Sequence, residues 1–419
     1  MKLRGLNFDG LNFKESVFDN ILDIPYEVKK HKYGANATWS HNTDTYNPSV
    51  NGKGYAGEIY ALKENLQVTT FLNKQSQEQY LPETKSMVDG GRVSIGSYDR
   101  TAYEYREGRL NDENYLNHLL EQKQWFKDNF GAYTAAASYG YGLQTFKSDI
   151  AINYLGARNS AFDLDNYDYD MVDSSSFPST SRHGDMLGDW ADVISDCNNA
   201  LNNAISNSGW YRDFSHWHTT AKIEEFYEAQ SPIIHGNNVV TLGMSEALEY
   251  MKFRQSVSVV QFGLKNGSLY LYADVPRDLL KREIIRTNLS VEIDLTGTVF
   301  EGKNLSSSHG LIDLGGGKYI AEIPYDGVAV LKEHATGEYL DFSVPTVISQ
   351  TTDIVTADKP TRLSIWGVTK GSSLEQAVLV DRYNSLGTTH AFGPLDTANY
   401  DYYFGLITKT NQSILHKYN

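Results

Sequence analysis

The chain has 419 residues, enough for about two to three domains at roughly 100–200 residues each. Its 37 Lys and Arg stand against 52 Asp and Glu, a net charge of −15 with no basic run, which excludes the clustered cations that nucleic acid and anionic membrane surfaces require. The single cysteine, Cys197, excludes an intrachain disulfide framework and a cysteine zinc site.

No stretch reaches the roughly 18 apolar residues of a membrane helix. The first residues, Met1 to Phe13, lack the apolar core of a signal peptide, so export by that route is not expected. Tyr is frequent, at 29 residues, beside many Asn, Ser and Gly. Rigid aromatic contact area with adaptable hydrogen bonding suits a glycan-facing or virion surface protein. A cytoplasmic location stays open.

Residues 1–30 show little periodicity. Phe8, Leu11, Phe13, Val17, Phe18, Ile21 and Leu22 are too apolar for a free tail, so this segment is expected to be an arm that docks on this chain or on a neighbour. Strands and helices then alternate over residues 31–255, the pattern of an α/β layer architecture. Asn111 or Asp112 can cap a helix carrying Leu116, Leu119, Leu120 and Phe126. Trp190, Val193, Ile194, Cys197, Leu201 and Ile205 form an amphipathic helical stripe that assigns Cys197 to the core. Ser245 can cap a helix over Glu246–Phe253.

After Ser256 the pattern becomes short alternating strands. Val257–Phe262 and Ser268–Ala273 flank Lys265-Asn266-Gly267, and Asn-Gly favours a type I′ hairpin turn. Strands are also expected at Ser290–Leu295, Lys318–Ile323, Gly327–Lys332 and Glu338–Val344. This predicts a β-sandwich over residues 256–348. Residues 349–419 hold further strands, at Arg362–Val368 and Ala377–Val380, and an aromatic stretch from Asn399, forming a β-rich extension.

Within residues 37–252, four motifs carry a family resemblance. The first is Thr38-Trp39-Ser40-His41-Asn42, with Asp44 just beyond, followed by a helix and strand ending Thr69-Thr70-Phe71-Leu72. The second is Asp89-Gly90-Gly91-Arg92-Val93-Ser94-Ile95-Gly96-Ser97-Tyr98-Asp99-Arg100. The third is Ser138-Tyr139-Gly140-Tyr141-Gly142 and the fourth Phe214-Ser215-His216-Trp217-His218. In this framework the chain resembles the polysaccharide deacetylases, carbohydrate esterases of the NodB-homology type that remove acetyl groups with a divalent metal. The resemblance implies a distorted (β/α) barrel with its site at the C-terminal strand ends.

The family's polar residues are largely replaced. Ser40 and His41 stand for the paired aspartates, Tyr98 and Ala102 for the two metal-binding histidines, and Ser138 for the motif arginine. Tyr141 keeps the position whose backbone holds the oxyanion in the family. Asn7-Phe8-Asp9-Gly10 looks like the first motif but lies too far ahead of the next element. His216 and His218 would share one face of a strand.

These residues set three readings. The leading one is recognition of a bacterial surface polysaccharide by a catalytically degenerate domain, in a phage tail or virion component, with Trp39, Tyr98, Tyr139 and Trp217 as sugar-stacking faces and no metal. The alternative is an active esterase or depolymerase with a non-standard site. His216, His218, His41, Asp44 and Tyr141 would then act in catalysis, and His216, His218 and Asp99 would hold zinc or another divalent metal. The third is a purely structural assembly protein that oligomerises through the N-terminal arm. The run Asp163-x-Asp165-Asn166-x-Asp168-x-Asp170 has calcium-loop character but lacks its Gly and Glu, and is expected to be a solvated loop over the barrel mouth. Gly315-Gly316-Gly317 is a loop and not a phosphate cradle.

Overall fold

The computed structural model describes residues 18–44, 56–74, 78–89, 92–99, 111–131, 133–139, 153–162, 167–170, 177–179, 190–215, 220–274, 287–325 and 327–418. The chain divides into two compact units. One joins Met1–Gly34 to Lys252–Leu340, and the other joins Ala35–Met251 to Asp341–Asn419. The first two strands, β1 (Asn20–Leu22) and β2 (Tyr26–Val28), therefore group with residues far along the chain.

The second unit is built on an eight-stranded parallel sheet. Its strands are β3 (Ala37–Asp44), β4 (Val68–Leu72), β5 (Val93–Asp99), β6 (Ala136–Tyr139), β7 (Gly156–Phe162), β8 (Phe177–Ser179), β9 (Trp210–Ser215) and β10 (Val239–Thr241). The order is β10-β3-β4-β5-β6-β7-β8, with β9 also paired to β3. Residues 38–43 of β3 pair with β9, while 37–39 pair with β10 and 41–44 with β4. A strand has two edges, so β10 and β4 share one of them end to end. The sheet curls and fits a distorted (β/α) barrel.

Among the described residues, six helices alternate with these strands: α1 (Ala56–Lys63), α2 (Leu81–Asp89), α3 (Asp112–Phe130), α4 (Trp190–Ser206), α5 (Thr220–Gly236) and α6 (Met244–Ser256). Asn111 caps α3 by accepting from the Asn114 amide at 2.9 Å, and Gly131 ends it in the left-handed region that glycine tolerates. The stripe expected on α4 is buried at Val193, Cys197, Ala200, Leu201 and Ala204. Ser245 does not cap α6. Its Oγ donates to the Ile95 carbonyl and accepts from the Ala136 amide, tying the helix to β5 and β6.

Strand alternation sorts the barrel side chains into two layers. Trp39, Val68, Leu72, Val93 and Tyr211 face the helices, in one core with Ile59, Leu62, Phe126, Leu201, Phe226 and Tyr227. Ser40, Thr69, Phe71, Ser94, Ser138, Arg158, Trp210 and Phe214 face inward. The Arg158 guanidinium lies 4.0 Å from the Phe214 ring centroid although β7 and β9 are not sheet neighbours, so it reaches across the interior.

In the first unit, β11 (Val260–Lys265), β12 (Ser268–Ala273), β13 (Leu289–Asp294), β14 (Leu305–Ser307), β15 (Leu311–Gly315), β16 (Lys318–Ile323) and β17 (Val328–Glu333) form two antiparallel sheets with β1 and β2. Their orders are β1-β11-β12-β17-β14 and β15-β16-β13-β2. The sequence-expected hairpin is present, with φ of 51° at Asn266 and 72° at Gly267. Gly315, Gly316 and Gly317 turn β15 into β16 with positive φ throughout. Glu338–Val344 is not a strand; only one isolated bridge, Ser306 with Glu338, forms there.

The last sheet contains β18 (Val347–Gln350), β19 (Ile354–Thr369), β20 (Val378–Ala391), β21 (Tyr400–Thr408) and β22 (Ser413–Lys417). It has a core of its own around Val355, Leu363, Phe392, Phe404 and Leu406. Trp366, Val368 and Ile407 instead join the helix-side core of the barrel. Ser413 Oγ donates to the Leu62 carbonyl at 3.1 Å, and the Asn65 side chain bonds Gln412 and Ser413. Among the described residues no helix is long and apolar enough to cross a membrane.

Candidate functional site

The inward layer near the C-terminal strand ends is a row across three strands. Tyr98 on β5 is registered with Ser138 on β6, and Ser138 with Arg158 on β7. Arg158 Nη2 donates to Ser138 Oγ at 2.7 Å, and Nη1 donates to the Asn159 carbonyl at 3.2 Å. Its guanidinium packs on Phe214 at 4.0 Å and lies 5.8 Å from Phe71. A buried guanidinium held by hydrogen bonds and an aromatic face is a fixed donor group.

Tyr98 is half-buried at this row, and its carbonyl accepts from Asn73 and Gln122. Asn42 Nδ2 donates to the Asp213 carbonyl at 2.6 Å, while its Oδ1 is buried without a hydrogen-bond partner. Arg212 is buried, bonds the Asp168 carbonyl at 3.2 Å and lies 5.2 Å from the Trp210 ring.

His41 is not part of this interior. It faces the helices, 1% exposed, between Phe226 at 5.0 Å and Tyr227 at 5.6 Å between ring centroids. Its Nε2 lies 3.1 Å from Ser215 Oγ, and its Nδ1 lies 3.7 Å from Asp213 Oδ2. Nδ1 has no hydrogen-bond partner among the described residues. The register explains the grouping, because His41 is the cross-strand neighbour of Asp213 and Thr43 of Ser215. Asp213 Oδ1 accepts from the Phe214 amide at 2.7 Å, and Oδ2 accepts from Tyr211 Oη at 3.3 Å. Cys197 Sγ lies 4.0 Å from the same carboxylate oxygen. A serine, an imidazole and a carboxylate thus lie together under α4 and α5, where proton transfer from Ser215 to His41 is geometrically open.

The other sequence-expected residues fall as follows. Trp39 is fully buried, stacks on Tyr211 and donates to Gln230, so its faces are covered by protein. Tyr139 is a core residue with Tyr115, Leu119 and Tyr154. Neither is available to stack on a sugar, and Trp210 is equally enclosed. Of the expected aromatic faces that are described, Tyr98 alone is partly exposed. Asp44 ends β3 and Asp99 ends β5. The side chains of these two, and Tyr141, His216, Trp217 and His218, lie outside the described residues.

Of the acidic run, residues 163–166 lie outside the described residues, and Asp168 is exposed as expected. Tyr167 and Tyr169 are buried, the Tyr167 carbonyl accepts from the Trp210 amide, and Tyr169 packs on Trp210 and Tyr250. This end of the loop lies under the start of β9, away from the mouth. Among the described residues no three His, Cys, Asp or Glu side chains are grouped to hold a metal ion. His216, His218 and the Asp99 side chain, the expected metal ligands, lie outside the described residues, and His41, expected to act in catalysis, is turned to the helix side.

No protein-family profile matches the chain, and no curated protein sequence does. Solved structures do. A polysaccharide deacetylase from Mycobacterium smegmatis, described as putative, is 13% identical over 56% of this chain and 96% of that one, with a TM-score of 0.38. The peptidoglycan deacetylase PdaC from Bacillus subtilis is 14% identical over 52% and 93%, with a TM-score of 0.32. A family 4 carbohydrate esterase from Streptomyces lividans is 14% identical over 49% and 91%, with a TM-score of 0.31. Each likeness spans about half of this chain, at identities that speak to the fold alone.

Proposed function

We propose that the barrel recognises a bacterial surface polysaccharide through its inward row of Tyr98, Ser138 and Arg158. The observation that carries this reading is the fixed Arg158 guanidinium, bonded to Ser138 and stacked on Phe214 beside a half-buried tyrosine. Preorganised donors next to an aromatic face suit a polyhydroxylated ligand, because little side-chain entropy is lost on binding. The Tyr- and Asn-rich composition fits a phage tail or virion component that meets a capsule. The test is titration of purified capsular and peptidoglycan-derived oligosaccharides by calorimetry. Binding is expected in the wild type, with at least a tenfold weaker Kd in Arg158→Met and Tyr98→Ala. Equal affinity in all three proteins, or no binding to any glycan, would remove the reading.

A second reading, acyl hydrolysis, is favoured by the Ser215–His41–Asp213 grouping. Ser215 Oγ would attack the acyl carbonyl while His41 Nε2 takes its proton and returns it to the departing alcohol. Water would then repeat the sequence to release the acid and restore the serine. His41 Nδ1 stands 3.7 Å from Asp213 Oδ2, too far for the hydrogen bond by which a carboxylate orients such an imidazole, which ranks this reading second. Labelling of Ser215 by a fluorophosphonate, lost in His41→Gln, would promote it. Absence of labelling under native conditions would dismiss it.

A further inference from the structure

A separate cationic cluster lies where the C-terminal sheet meets α1 and β5 within one unit. Arg92, just before β5, is 1% exposed. Its Nη1 donates to the Asn411 carbonyl. Its Nε and Nη2, both buried, have no hydrogen-bond partner among the described residues. These two donors lie on one edge of the guanidinium, the fork that grips an oxyanion in bidentate fashion.

Two more guanidiniums stand close by. Arg362 Nη2 donates to the side chain of the same Asn411 at 3.3 Å. Arg382 on β20 is registered opposite Ser364 on β19, two residues along the same face from Arg362. Arg382 Nη2 donates to Glu58 at 2.5 Å, while its Nε and Nη1 are buried with no hydrogen-bond partner among the described residues. Glu58 is the one acidic side chain among the described residues that bonds any of the three guanidiniums. Burial and the charge of Arg362 push the Arg92 pKa down to about 9, so it is still charged at neutral pH.

An unpaired buried charge with unmet donors costs several kcal/mol, and proteins resolve such a site by supplying the missing partner. We infer that Arg92, Arg362 and Arg382 form an internal binding site for a small tetrahedral oxyanion, phosphate or sulfate, which completes the junction between the C-terminal sheet and the barrel. The free edge of Arg92 presents two N–H donors side by side, a fork that matches two oxygens of one oxyanion. Arg362 and Asn411 are half-buried, which gives an ion a route from solvent.

The test is thermal unfolding of the full chain against sodium phosphate and sodium sulfate, with sodium chloride at matched ionic strength. Wild type is expected to show a saturating rise in Tm with the oxyanions and none with chloride. A saturable site filled to 100 times its Kd stabilises by about 2.7 kcal/mol. Arg92→Met is expected to lose the saturating part and keep only the linear salt effect common to all proteins. Arg362→Gln, at a half-buried position, serves if Arg92→Met does not fold, and is expected to raise the apparent Kd at least tenfold. Phosphate and sulfate curves tell which ion is preferred. Identical curves in wild type and Arg362→Gln, or a wild type with no saturating component, would overturn the site.

Discussion

His41 Nε2 and Ser215 Oγ lie 3.1 Å apart in a layer sealed by Phe226 and Tyr227. The contact holds β3 to β9 whether or not it does chemistry. Removing the hydroxyl leaves a buried ring nitrogen without its partner. Ser215→Ala is expected to lower stability by about 1–3 kcal/mol in urea unfolding. A change below about 0.5 kcal/mol would mean that the pair is not formed in solution.

Glu58 is fully buried, and desolvation pushes its pKa up to about 8, outweighing the attraction of Arg382. The unfolded chain ionises this group near about 4.3. The folded protein therefore holds a proton that the unfolded chain releases. The contribution is fully present below about pH 4 and is lost as pH rises through about 8. Glu58→Gln cannot ionise. Its stability is expected to fall less than that of wild type between pH 5 and pH 8, by on the order of a few kcal/mol. Parallel stability curves for the two proteins would show that Glu58 stays ionised in the folded state.

A methyl group at Gly405 would sit 2.4 Å from Ser364 Oγ and 3.1 Å from Leu62 Cδ1. Gly405→Ala is expected to cost about 1–3 kcal/mol by overpacking β21 against α1. Gly393 has nothing within 4 Å, and Gly393→Ala serves as the neutral control. Equal melting temperatures for the two variants would mean that the C-terminal sheet is not pressed on α1.

Ile24, between β1 and β2, is 2% exposed. Ile24→Ala is expected to destabilise the first unit by about 2–4 kcal/mol through loss of buried surface and the cavity left behind. Calorimetry should register the change. An unaltered transition would return this segment to the status of a docking arm.

Much of the architecture was legible in the sequence because local chemistry dictates it. The stripe from Trp190 to Ile205 has one apolar face at helical period. Asn111 is a good helix cap, and Asn266-Gly267 admits two residues at positive φ. Ser268–Ala273 and Lys318–Ile323 fall where β-branched, aromatic and alternating residues put them. The contact of Arg158 with Ser138 was not legible. Arg158 lies 20 positions after Ser138, and only the pairing of β6 with β7 brings them together. A buried Arg in a strand was the available signal.

What the sequence by itself determined is the alternation of strands and helices and the acidic net charge. Those follow from side-chain periodicity and composition, which act over a few residues. The tertiary structure decided which face each motif residue takes. Because side chains alternate along a strand, one step separates Ser40 in the barrel interior from His41 beneath the helices. It also decided that Arg92, Arg362 and Arg382 meet, since a buried cluster of like charges is assembled only by packing distant segments against one another.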